Sequence, residues 1–261
     1  MIALQPGAGR AARDKLAGLQ WGLYILAALV SATYVAWLAL AQVNFLYPVW
    51  HDLIGIDRTI ETYGPQNRYR HGFELTSKAE RCRLFAGIVD AIHDRGAGLE
   101  KLVYHDTEGH ALGTLLRAAE IVHLKDVAAL IEMAGRIGLC ASVIAVLLLL
   151  NIRRRKLPIP AVKSLLPGLA LVVALAAVII AAGPVDVFYW LHTVVFPPGH
   201  AWFFYYQDSL MSTMMMAPVL FGYIALVWAL LAVLLLTGFI ALAWRMSLKA
   251  AHRGDCRWPP V

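Results

Sequence analysis

The segment 218–244, PVLFGYIALVWALLAVLLLTGFIALAW, decides the fold, because it contains no Asp, Glu, Lys or Arg. A hydrocarbon core takes about 20 consecutive apolar residues as a helix, so this segment predicts a transmembrane span. Three more read the same way: 20–43, 136–152 and 165–185, with Arg136 at the start of the second as their one charge. The second is short. Glu132 and Arg136 stand at i,i+4 on the helical stretch before it, which carries the chain up to the interface.

Composition agrees. Of 261 residues, 60% are hydrophobic and 15% charged, and the mean hydropathy is +0.64, which places most of this chain in lipid rather than water.

A net charge of +6 suggests nucleic acid in a soluble protein, but its distribution excludes that reading. Basic residues flank the spans on one side: Arg10, Arg13 and Lys15 in the tail 1–19, Arg153, Arg154, Arg155, Lys156 and Lys163 in the loop 153–164, and Arg245, Lys249, Arg253 and Arg257 in the tail 245–261. By the positive-inside rule that side is the cytoplasm. On the other side, the segment 44–135 holds ten Lys/Arg against thirteen Asp/Glu, and the loop 186–217 has Asp186 and Asp208 with no Lys or Arg. The expected fold class is therefore an all-α membrane protein. It has four transmembrane helices, both termini in the cytoplasm, and an extracytoplasmic, mainly helical cap.

The first span is roughly twice as long as the 7–15 apolar residues of a signal peptide. Cys82 falls on the outer side, Cys140 within the second span and Cys256 in the cytoplasm, so no disulfide is expected within the chain.

The cap, 44–135, is too long for a simple connector. Ser77-Lys78-Ala79-Glu80 reads as a capping box ahead of an amphipathic helix to about Arg95, closed by Gly96-Ala97-Gly98. Leu99–Tyr104 and Ala111–Leu115 flank a turn at Asp106–Gly109, a hairpin signal. From about Leu116 the pattern turns helical and runs into the second span. In the loop 186–217, nine aromatics fall between Phe188 and Tyr206, a density that suits the headgroup level.

Eight of nine histidines lie in these two outer segments. His123 precedes the second span and His192 follows the third, so both stand at the same membrane surface. Glu120, His123 and Asp126 share a helix face at i,i+3 spacing, which lets a carboxylate fix the tautomer of His123 and raise its basicity. A salt-bridged histidine on a solvated helix satisfies the same spacing. His192 sits among Phe188, Tyr189, Trp190, Leu191, Phe196 and Pro197 with no cationic neighbour. Desolvation there disfavours its charged form, in a base as in a satisfied interface residue.

The chain lacks G-x-S-x-G, H-E-x-x-H, G-x-G-x-x-G and G-x-x-x-x-G-K, so chemistry must rest on histidine and carboxylate. His200 and Asp208 with His123 and His192 offer metal-donor types. No pair has tight ligand spacing, and neither metal nor cofactor is expected.

Two stretches carry a resemblance: Glu120-x-x-His123-x-x-Asp126-Val127, and His192-x-x-x-Phe196-Pro197-x-Gly199-x-x-Trp202-x-Phe204 followed by Asp208-x-Leu210. They resemble the lipoprotein intramolecular transacylases (Lit), four-helix membrane enzymes with an extracellular cap. The resemblance implies that His123 and His192 are catalytic. It also implies transfer of the sn-2 acyl chain of a diacylglyceryl lipoprotein to the amine of its N-terminal cysteine, giving a lyso-form lipoprotein. The implied setting is the outer face of the bacterial cytoplasmic membrane, with the diacylated lipoprotein and membrane lipid as partners.

The chemistry suits such residues, since an α-amine with a pKa near 8 must lose a proton to attack an ester, and the glycerol oxygen must gain one. His123, with its carboxylate neighbours, is the first assignment for base and His192 for acid or oxyanion donor, with the reverse order open. Trp190, Phe196, Trp202 and Phe204 are the expected walls, Glu120 and Asp126 the orienting groups, and Asp208 an amine contact. A histidine base implies loss of activity below about pH 6. The rival readings are a non-catalytic membrane protein whose cap binds a lipid or partner, and a histidine-based metal protein.

Overall fold

The computed structural model describes residues 6–159, 170, 174 and 177–255. In chain order these form helix α1 (Pro6–Ala41), α2 (Tyr47–Leu53), α3 (Ile56–Tyr63), α4 (Lys78–His93), strands β1 (Val103–His105) and β2 (Ala111–Thr114), then α5 (Ala118–Arg154), α6 (Pro184–Val195), α7 (Leu210–Met215) and α8 (Val219–Asp255). Among the described residues, three helices are long and apolar enough to cross a membrane: Arg13–Ala41, Ala118–Arg154 and Val219–Leu248. The expected third span, 165–185, lies largely outside the described residues. Helix α5, at 37 residues, is about 55 Å long, well beyond the roughly 30 Å of a hydrocarbon core. Its first turns, which carry Glu120, His123, Lys125, Asp126 and Glu132, therefore have length to spare outside the apolar layer.

The chain divides into two compact units. The first, from Met1–Ala36, Arg136–Ala177 and Ala229–Val261, packs through small residues. Ala28, Ala32 and Ala36 form a buried i,i+4 stripe on α1, and the Ser31 hydroxyl donates to Ser142 Oγ at 3.0 Å. Gly138 on α5 lies so close to Tyr34 that a Cβ there would meet the ring at 2.4 Å. Lipid supplies no hydrophobic drive between helices, so close approach and interhelical hydrogen bonds do the work. Trp21 Nε1 donates to the Pro158 carbonyl at 3.1 Å and Tyr24 Oη to that of Phe239 at 2.9 Å. Large apolar side chains such as Leu23, Leu147 and Leu234 are exposed, as suits a lipid-facing surface.

The second unit comprises Trp37–Gly135 and Val178–Trp228. Three successive left-handed residues, Asn44, Phe45 and Leu46, turn the chain from α1 into α2. Tyr47 stacks on Phe85 at 4.2 Å, and its hydroxyl donates to the Met214 carbonyl. All six residues of α7 are buried. His51 is buried beside Asp52 and Asp57, which in turn pair with Lys78 and Arg81.

Local signals in this unit are partly realised. Ser77 Oγ accepts from Glu80 N as the capping box requires, but the Glu80 carboxylate turns to Arg83 and His105 instead of back to the cap. The hairpin forms with Asp106 Oδ1 accepting from the N–H groups of Glu108 and His110. Its first strand is shorter than expected, because Gly98 at φ +85° starts a 3₁₀ turn over Leu99–Lys101.

Gly138→Leu is expected to lower the melting temperature in detergent, reflecting a cost of about 1–3 kcal/mol for forcing the ring of Tyr34 aside. Gly22→Ala, with nothing within 4 Å, leaves it level or raises it. Equal melting temperatures for the two variants would refute the tight-contact account.

Candidate active site

Helices α5 and α6 bring His123 and His192 together, with ring centroids 6.1 Å apart and planes at 36°. Helix α6 starts from Gly183 at φ +87° with Pro184 in its first turn, a position that needs no N–H. It stops at Val195, because Pro197 drives Phe196 into extended backbone. His192 thus occupies the last turn, where its Nδ1 lies 2.7 Å from the Phe188 carbonyl. A carbonyl can only accept, so Nδ1 carries the proton and Nε2 is left with a free lone pair.

Aromatic rings enclose the pair. Phe188 lies 4.0 Å from His192, Trp202 5.1 Å from it, and Phe196 within 5.1 Å of both histidines. Phe204 stands 6.2 Å from His123. Together they line part of an apolar cavity of about 450 Å³, within the range of sites for small organic ligands. His123 is 9% exposed, and its Nδ1 has no hydrogen-bond partner.

Burial, and then the neighbouring His192, push the pKa of His123 down to about 4, against the pull of Asp126. Burial likewise lowers that of His192, against its bond to the Phe188 carbonyl. Both rings are neutral at pH 7. The part of any acid loss of activity that comes from a histidine base therefore falls below the range of an ordinary imidazole.

The carboxylates do not orient His123 as the spacing suggested. Asp126 Oδ2 pairs with His200 Nδ1 at 2.6 Å. Glu120 is 0% exposed, accepts from the Arg117 backbone N–H at 2.6 Å and accepts from the Ser209 hydroxyl. Ser209 in turn accepts from Ser212 N and so caps α7. Glu120 thus ties the start of α5, which bears His123, to the start of α7, whose Met211, Ser212 and Met215 line the cavity. Burial raises the pKa of its carboxyl.

Of the expected walls, Phe196, Trp202 and Phe204 line the cavity, whereas Trp190 is 61% exposed. Helical phase explains the difference, since Phe188, Leu191, His192 and Val195 make the inner face of α6 and Trp190 lies about 200° from Phe188. Asp208 pairs with Arg68 at 3.3 Å and does not line the cavity. His200 and Asp208 are thus engaged elsewhere and do not converge on the histidine pair. The carboxylates nearest a metal-like grouping, Asp52 and Asp57 beside His51, are already held by Lys78 and Arg81.

The cavity also uses residues that the sequence reading passed over. Phe85, Ile88, Val89 and Ile92 line it from α4, and Trp37 from α1. Their i, i+3, i+4, i+7 spacing on α4 is a signal of a buried face, though not of what that face meets.

Comparison with known proteins bears on this arrangement. The family described as lipoprotein intramolecular transacylase Lit matches residues 104–221, a stretch that contains both histidines and the aromatic loop. Over these residues, just under half of the chain, the sequence is similar to that family. Its fold is similar to the in meso structure of the membrane-integral Lit from Bacillus cereus, with a TM-score of 0.61 at 17% identity over 95% of this chain and 100% of that one. A histidine-to-arginine variant of the same B. cereus protein matches at TM-score 0.61 and 17% identity, covering 95% of this chain and 96% of that one. No curated protein sequence matches the chain.

Glu120→Ala is expected to leave the Arg117 N–H and the Ser209 hydroxyl unpaired, at about 1–3 kcal/mol for each buried group. It should lower both the melting temperature and any activity of the pair. Glu120→Gln retains an acceptor and a donor and should recover most of both; a glutamine variant as damaged as the alanine one would refute this role.

Proposed function

We propose that this chain is a member of the Lit family and moves the sn-2 O-acyl group of a diacylglyceryl lipoprotein to the α-amine of its N-terminal cysteine, giving a lyso-form lipoprotein. The observation that carries the reading is a pair of neutral imidazoles at one end of an apolar, acyl-sized cavity. The setting we propose has four spans, N-in and C-in, with the cap and the histidines at the outer face of the bacterial cytoplasmic membrane. The basic flanks at 1–19, 153–164 and 245–261 support this topology.

The cysteine nitrogen attacks the sn-2 carbonyl carbon, so that a C–N bond forms and the C–O bond to glycerol breaks. His192, with Nδ1 held by the Phe188 carbonyl, takes the amine proton on Nε2 and returns it to the departing glycerol oxygen. His123, neutral and unpartnered at Nδ1, offers an N–H to the carbonyl oxygen as charge gathers there. This order reverses the first assignment of base and donor. One proton leaves nitrogen and one reaches oxygen, so water and co-reactants are not required. An ester becomes an amide within one molecule, and the missing serine elbow is not needed.

Confinement does the rest. Holding amine and ester in a near-attack pose can lower the barrier by about 7–11 kcal/mol in well-oriented systems, and the rings of Phe188, Phe196 and Trp202 restrict both groups. The same rings exclude water, which would otherwise hydrolyse the ester.

The test is tandem mass spectrometry of a diacylglyceryl lipoprotein incubated with the purified protein, since the intact mass does not change. The wild type should move one chain to the N-terminal amine. His123→Ala and His192→Ala should each lose roughly 10²–10⁴-fold in rate. Absence of transfer by the wild type on several lipoproteins would overturn the reading.

A further inference from the structure

We propose that Trp37 and Trp228 form the floor of the cavity and set the length of the sn-2 acyl chain that is transferred, an inference that rests on the proposed function. The two rings meet edge to face at 6.0 Å, and Trp37 also packs on Phe45 at 4.7 Å. The Trp37 indole N–H donates to His93 Nε2 at 2.9 Å, and His93 Nδ1 is bound to the Val89 carbonyl at 2.7 Å. This chain of bonds satisfies the one polar atom of Trp37 and fixes its ring against the cavity.

The depth of this floor follows from helix geometry. Phe221 stacks on Phe188 at 6.2 Å, and Phe188 lies 4.0 Å from His192, so Phe221 marks the level of the reacting groups. Trp228 is seven residues further along α8, about 10 Å at 1.5 Å per residue. On α5 the cavity wall runs from His123 to Leu130, again seven residues. Between these levels Leu124, Val127, Ile224 and Ala225 offer only apolar surface.

The occupant is the sn-2 chain because its carbonyl must lie between the histidines, so its first methylenes start at the top of this shaft. Each further methylene gains apolar burial until the terminal methyl meets the two indoles. A longer chain must then fold back or push a ring aside, in a wall where extra volume is costly. One methylene too many in an apolar pocket costs roughly tenfold or more in rate.

The experiment uses diacylglyceryl lipopeptides in two series, one varying the sn-2 chain and one the sn-1 chain, assayed by tandem mass spectrometry with the full-length protein. Transfer by the wild type should drop about tenfold beyond a limiting sn-2 length and respond weakly to sn-1 length. Trp228→Ala should raise the ratio of long-chain to short-chain transfer about tenfold, and Ala225→Phe should lower it by a similar factor. Trp37→Phe and Ala225→Leu, which keep packing closer to native, should shift the ratio in the same directions by less, and serve if the larger changes unfold the protein. Transfer whose length profile is identical in wild type and variants, or follows the sn-1 chain, overturns the floor and leaves the proposed function standing. Absence of transfer at every length removes the proposed function itself.

Discussion

Two imidazoles can share a water-poor aromatic enclosure only while both are uncharged, and the arrangement around His123 and His192 follows from that constraint. A protonated ring at either position would face the other ring, the apolar walls and little water, so burial lowers both pKa values. An amine and an ester are themselves neutral reactants once the amine has lost its proton. In the proposed reaction, the enclosure would favour the reactive form of the amine and of its base together. In the proposed transfer, charge appears only as the amine attacks, where an N–H of one ring and the lone pair of the other are in place.

The supporting structure keeps these rings where they are without adding charge to the cavity. Glu120 ties the start of α5 to the start of α7 through Arg117 and Ser209, and its buried carboxyl favours the neutral form. Asp126 is held by His200 and Asp208 by Arg68. The anions Glu120, Asp126 and Asp208 are thus engaged with partners other than the two histidines. The unit that contains the site is rich in aromatic and ionic contacts, whereas the other packs Ala28, Ala32 and Gly138 in close apposition. Each suits its solvent, since lipid rewards close backbone approach and a half-wet interface rewards rings with polar tips.

Much of this was legible in the residues. The apolar runs around 20–43 and 218–244 lie within long helices, because nothing else can satisfy backbone groups in hydrocarbon. The turn chemistry of Asp106–Gly109 predicted the hairpin, and the spacing from Leu116 onward predicted a helix continuous with the second span. His123 and His192 stood out through a resemblance, and their meeting was implied by their places at the ends of neighbouring spans. Spacing could not say which partners the carboxylates choose. Residues at i,i+3 share a face, yet Glu120 bonds to a serine 89 positions away and Asp126 to a histidine 74 away. Trp190 looked like a wall because aromatic density carries no phase, and its place on the outer side of α6 emerges once the helix is fixed by Pro184 and Pro197. Trp37 gave no local sign at all, since an indole near the end of a span usually marks a membrane interface.

The pH dependence of kcat/KM, followed from about pH 5 to pH 9, tests the central claim of two neutral, desolvated histidines. The lipoprotein amine ionises near pH 8 and an ordinary histidine near 6.5. With both rings held below that value, the logarithm of kcat/KM should level off above about pH 7.5 and keep a slope of one as the pH falls from there through about 6.5. A slope of two below about pH 6.5 would mean that a histidine with an ordinary pKa titrates alongside the amine, and would contradict the account.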